Sequence, residues 1–211
     1  MPIRCHPRQT DLGLALHEFR VRISPLRAGA VSKMSYGTLS GAFQSPVKHK
    51  IFVSYHHRGD QAYYDAFSKT FHDTYDVIFD NSLERKIDSD DPDYVMRQIR
   101  ENFIKGSSCT IVLVGKDTPG RKFVDWEIKA TLDREHGLIG VYLPTATRDP
   151  TNSKIIVPDR LHSNIQSGFA SWASWQDITA SAAQLERYVT DAKSRNRKLI
   201  VNARDIRLRN S

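Results

Sequence analysis

From Lys50 onward, short apolar runs alternate with stretches in which apolar residues recur every three or four positions. Ile51-Phe-Val-Ser-Tyr predicts a strand over 51–55, followed by a helix over 60–74 with Phe67 and Phe71 at i,i+4. Asp76-Val-Ile-Phe-Asp predicts a second strand, and a polar loop leads to Asp91-Pro92, an N-cap followed by a first-turn proline. The helix begun there carries Tyr94, Val95, Ile99, Phe103 and Ile104 at helical spacing and stops at Gly106. A run over 108–115 is apolar on both faces, as a central strand of a parallel sheet must be. A helix over 123–135, ended by Gly137, and a strand over 138–143 follow. After a long irregular segment, residues 169–175 predict a fifth strand and 181–194 a closing amphipathic helix.

This βα alternation predicts an α/β, flavodoxin-like fold: a parallel five-stranded sheet with helices on both faces, strand order 2-1-3-4-5. In such sheets ligands bind outside the carboxyl ends of the strands, where the strand order reverses between strands 1 and 3. The folded domain is expected over residues 48–211. Residues 1–47 lack strand alternation, and Pro25 and a Gly/Ser-rich stretch break the only helical pattern, over 14–21. They are read as a disordered or spurious extension. A translation start at Met34 and an arginine-rich transit peptide are the alternatives.

Charge changes little in this picture. The net charge of +7 is concentrated in residues 1–50, which hold eight basic and two acidic side chains; the rest carries 23 against 22. A nearly neutral body argues against nucleic acid as a partner. No apolar stretch is long enough to span a membrane, so no membrane association is expected. Two distant cysteines, Cys5 and Cys109, fit a reduced, cytoplasmic compartment.

The switch-point rule selects the stretch from Ser54, Tyr55 and His56 to Asp60 after strand 1, Asp80, Asn81 and Ser82 after strand 2, Gly115 to Asp117 after strand 3, and Asp125, Trp126 and Glu127 at the start of the third helix. Glu127 flanks the apolar stripe of Val124, Ile128 and Leu132, which puts a partly desolvated carboxylate near the sheet edge and the helix N-terminal dipole. A first-turn glutamate that merely stabilises its helix has the same signature. No glycine-rich phosphate loop, H-E-x-x-H, clustered cysteines or G-x-S-x-G elbow is present. Rossmann oxidoreductase, triphosphatase, zinc and hydrolase chemistries therefore lack support, and no cofactor or metal is expected. An acid pair at the end of strand 1, as a receiver domain needs, is replaced by Ser54-Tyr55.

These residues resemble a known family. Phe52-Val-Ser-Tyr55, Ser107-Ser-Cys-Thr-Ile-Val-Leu-Val-Gly115 and Phe123-Val-Asp-Trp-Glu127-Ile resemble the opening strand, central strand and glutamate box of TIR domains. Asp80-Asn-Ser-Leu, Arg97-Gln-Ile-Arg-Glu-Asn, the run from Lys122 to Asp133, and Val157-Pro-Asp-Arg-Leu-His resemble the TIR-like proteins of the bacterial Thoeris antiphage system, over about residues 49–210. The resemblance implies an enzyme of NAD glycohydrolase or ADP-ribosyl cyclase type. NAD is its substrate, nicotinamide and an ADP-ribose-derived signal are its products, and a partner effector is its listener. Glu127 would be the catalytic carboxylate, and Ser54, Tyr55, His56, Asp80, Asn81, Ser82 and Trp126 would line the pocket. The alternative is a TIR-like interaction or ligand-binding module without turnover. Phe123-Val124 stands where the common box has Trp-Cys, and the loop after strand 2 lacks the glycine-proline pattern used in TIR self-association, which leaves any self-association of this chain open.

Overall fold

A computed structural model describes residues 49–78 and 91–211. Five parallel strands form one sheet: β1 (His49–Ser54), β2 (Tyr75–Ile78), β3 (Cys109–Val114), β4 (Gly137–Tyr142) and β5 (Ser171–Ser174), in the expected order β2-β1-β3-β4-β5. Every residue of β3 is buried, which explains its unbroken apolar run.

Two groups of helices cover the sheet. On one face, α1 (His57–Phe71), α5 (Trp175–Thr179) and α6 (Ala182–Ser194) pack Tyr64, Phe67, Phe71, Ile178, Leu185 and Val189 against Ile51, Val53, Ile111 and Val141. On the other, α2 (Pro92–Gln98, continued by a π-helical turn over Ile99–Ile104), α3 (Lys122–Asp133) and α4 (Asp159–Gln166) pack against Phe52, Val112, Val114 and Leu138. Asp91 caps α2 as expected, its carboxylate accepting from the Asp93 amide at 3.0 Å.

Several boundaries differ from the periodicity. Helix α1 starts three residues early because the His56 carbonyl already accepts from the Gly59 and Asp60 amides. The eight-residue helix α4 lay hidden in the irregular segment, too short to show a period. Gly137 does not end α3. Glu135 makes the left-handed turn there, at φ 54°, and Gly137 opens β4. A Cβ at Gly137 would stand 2.9 Å from the backbone of Ala192, so the glycine lets α6 lie close on the sheet. The terminal segment from 200 to 211 runs back over α4 and α3, seating Ile200 and Ile206 on the two smaller cores.

Gly137→Ala should therefore push α6 off the sheet and lower the unfolding free energy by about 1–3 kcal/mol, the range for overpacking. Urea denaturation should show an earlier midpoint at unchanged slope.

Candidate functional site

Helices α1 and α3 cover opposite faces of the sheet, and their first turns flank the carboxyl ends of β1 and β3. This is the expected switch point. A helix that returns the chain between parallel strands runs against them, so α3 descends from the site towards the amino edge. Its level is fixed by Thr131, whose hydroxyl lies 2.7 Å from that of Thr110 on β3 and also donates to the Glu127 carbonyl at 2.8 Å. One turn up the helix, about 6 Å, brings Glu127 to the level of Val112, two strand residues, or about 6.6 Å, above Thr110. Val112 is in register with Ser54 on β1. Thr110 meets α3, and Phe52, in register with it, packs beside Trp126, so Ser54, two residues further along β1, faces the same side. Ser54 and Glu127 thus share one layer on one face.

Both are deeply buried, with 0% and 2% of their surface exposed. Among the described residues the Ser54 hydroxyl finds no hydrogen-bond partner. A buried hydroxyl left without a partner is costly in a core, and such groups are often found where function is built.

The other expected residues divide. Tyr55 points to the opposite face, stacked on Tyr64 at 4.6 Å and donating to Gln61 at 2.9 Å, which fixes α1. His56 is buried at the start of α1, beside the crevice. Trp126 lies in the core against Phe123, and its indole N–H donates to the Arg207 carbonyl at 2.8 Å, so its ring is committed to packing. Asp80, Asn81 and Ser82 fall outside the described residues. Among the described residues no cluster of three or more His, Cys, Asp or Glu is placed to hold a metal ion.

Sequence reasoning placed Asp60 at the crevice but gave it no role. This carboxylate in the first turn of α1 is buried and accepts from the Thr118 hydroxyl at 2.8 Å, which in turn accepts from the Gly115 amide at 3.0 Å. Gly115 directly follows β3, and a Cβ there would stand 2.0 Å from the Asp60 carboxylate. Burial raises the Asp60 pKa, while the Thr118 bond and the charge of His56 pull it back. The available signal was a carboxylate one turn into the first helix, facing a glycine at the end of the central strand.

A second buried carboxylate, Asp125, is neutralised differently. Arg160 on α4, with no exposed surface, grips it at 2.9 and 3.3 Å. The same guanidinium donates to the Asn202 side chain at 2.9 Å and the Asp205 carbonyl at 3.0 Å. A cleft of about 190 Å³ lies alongside, lined by Pro119, Asp125, Pro158, Asp159, Arg204 and Arg207. It is smaller than the few hundred Å³ a nucleotide-sized ligand occupies.

The model of one family, Thoeris protein ThsB, TIR-like domain, matches residues 52–148, the segment from β1 through β4 that contains Ser54, His56, Asp60 and Glu127. Residues 52–148 are thus similar to the TIR-like domain of Thoeris protein ThsB. That similarity supports a role in Thoeris defence. No curated protein matches the chain. The matched segment of the TIR-like domain includes both buried carboxylates of α3 but not Arg160 or the terminal segment that Arg160 holds. Among the described residues, no helix is long and apolar enough to cross a membrane.

The raised pKa of Asp60 has a sign that can be read out. The folded state holds this proton to higher pH than the unfolded chain, whose carboxyl ionises near 3.8. Asp60 thus favours folding most when protonated, and that advantage is lost as pH rises from about 3.8 through its folded pKa. Asp60→Asn, which keeps an acceptor for Thr118, should gain stability relative to wild type as pH climbs from 3 to 7. Paired thermal melts across that range would show it; a constant gap would place the Asp60 pKa at its ordinary value.

Proposed function

We propose that this TIR-like domain cleaves the bond between ribose and nicotinamide in NAD, with Glu127 as the catalytic carboxylate. The observation that carries the reading is the buried Glu127 in one layer with the orphaned Ser54 hydroxyl, at the switch point of a ThsB-type domain. Breaking this bond leaves an oxocarbenium-like ribosyl centre, and nicotinamide departs as a neutral molecule, so no strong general acid is required. A carboxylate held out of water, where its field is little screened, stabilises the developing positive charge and accepts hydrogen bonds from the ribose hydroxyls. The Ser54 hydroxyl can bond the same ribose, and His56 borders it. The ADP-ribosyl product, cyclised, transferred or hydrolysed, then serves as a signal to an effector protein. NAD is the substrate, with no further cofactor.

A non-catalytic binding module draws on the same burial, since a carboxylate closed off from solvent can serve structure alone. Glu127→Gln separates the two readings. It keeps the size and polarity of the side chain and removes the charge. In lysate from phage-infected cells, nicotinamide release by the purified protein should fall at least a hundredfold in the variant, the usual scale for losing one transition-state electrostatic contact. Equal rates in the two proteins would rule out Glu127 as the catalyst.

A further inference from the structure

Helix α3 does not cap itself. Its N-cap residue is Arg121, which offers no side-chain hydrogen bond to the open amides of the first turn. The terminal segment supplies what is missing. Asn210 accepts from the Lys122 amide at 2.9 Å, and Ser211 donates its amide to the Gly120 carbonyl at 3.0 Å, just before the helix. Arg207 uses both of its backbone groups on the two residues that precede Glu127: its amide donates to Asp125 at 2.9 Å, and its carbonyl accepts from Trp126 at 2.8 Å.

The segment is itself held mainly by polar bonds. Val201 pairs through both backbone groups with the side-chain amide of Asn164, at 2.8 and 3.0 Å, and Arg160 holds Asn202 and Asp205. Val201 and Leu208 stay exposed. A strap whose apolar anchors are the partly buried Ile200 and Ile206 opens more easily than the sheet it lies over.

We infer that residues 200–211 are a positioning strap for Glu127, supplying the N-cap α3 lacks and clamping its first turn through Arg207. The inference rests on the reading that Glu127 acts on NAD. The strap touches no substrate; Asn210 and the Arg207 backbone act through the helix. Transition-state contacts are sensitive to misplacement of about 1 Å, so a loosened first turn lowers kcat more than it weakens NAD binding.

Two full-length variants test this. Asn210→Ala removes the cap acceptor from an exposed position, and Arg207→Pro deletes the amide that holds Asp125. Hydrogen exchange over residues 122–127 should quicken about fivefold in Asn210→Ala, the scale of a lost cap, while the β3 amides stay protected. The kcat for nicotinamide release should drop several-fold in Asn210→Ala and on the order of tenfold in Arg207→Pro, with KM for NAD within about twofold. Asn210→Asp, which restores an acceptor, should recover both exchange and kcat.

Unchanged exchange over 122–127 in both variants would overturn the strap, as would faster exchange with wild-type kcat. Should the proline variant misfold, Asn210→Ala and its aspartate rescue decide the matter alone. If wild-type protein releases no nicotinamide under any condition, the enzymatic reading falls instead, and exchange by itself decides whether the segment holds the turn.

Discussion

Burying β3 on both faces is the constraint from which the rest of the molecule follows. A strand with water on neither side needs helices above and below it, and parallel neighbours need crossovers long enough to supply them. Helices α1 and α3 therefore lie on opposite faces, with their amino-terminal turns at the same sheet edge. Between them lies the switch point at the carboxyl ends of β1 and β3. Backbone dipoles and amides concentrate there before any side chain is considered.

Three carboxylates are drawn into that region, and each is made tolerable in its own way. Asp125 is fully paired with Arg160, an arrangement whose loss on one side costs about 3–5 kcal/mol because the remaining charge is stranded. Asp60 accepts from the Thr118 hydroxyl, and burial raises its pKa. Glu127 shares its layer with a serine hydroxyl that finds no partner among the described residues. The first two arrangements are closed, since donors and acceptors answer one another within the protein. The layer of Ser54 and Glu127 differs, because the Ser54 hydroxyl finds no partner among the described residues, and the proposed chemistry is assigned there for that reason.

How much of this could be read from the sequence follows from what each feature depends on. The strand order and the central strand were legible because apolar period reports burial directly, and β3 is apolar along its whole length. Helix α4 was not, since eight residues hold barely two turns and its buried members include Arg160 and Asn164, which periodicity scores as polar. Glu127 stood out because it flanks a regular apolar stripe, and Trp126 drew notice as an aromatic beside it. Only the contact between its indole and Arg207, 81 residues away, settles that ring into the core. Asp60 was given no role for a related reason: its partners, Gly115 and Thr118, are close to it in space and far from it in sequence.

The same distinction bears on what the family match can and cannot carry. The matched segment ends at residue 148, yet the residues that hold α3 in place, Arg160, Arg207 and Asn210, lie beyond it. The glutamate-bearing turn is therefore assembled from two parts of the chain. The first supplies the carboxylate and the sheet edge that orients it; the second supplies the cap and the counter-charge. A turn built this way couples the ionic core around Asp125 to the position of Glu127, since Arg160 holds both Asp125 oxygens, at 2.9 and 3.3 Å, and the second of them also accepts from the Arg207 amide at 2.9 Å. Disturbing either contact loosens the other, because both converge on one carboxylate two residues before Glu127. Stability of the terminal segment and geometry of the proposed site are thus coupled, and substitutions distant in sequence from Glu127 can act on it without touching Ser54 or Glu127.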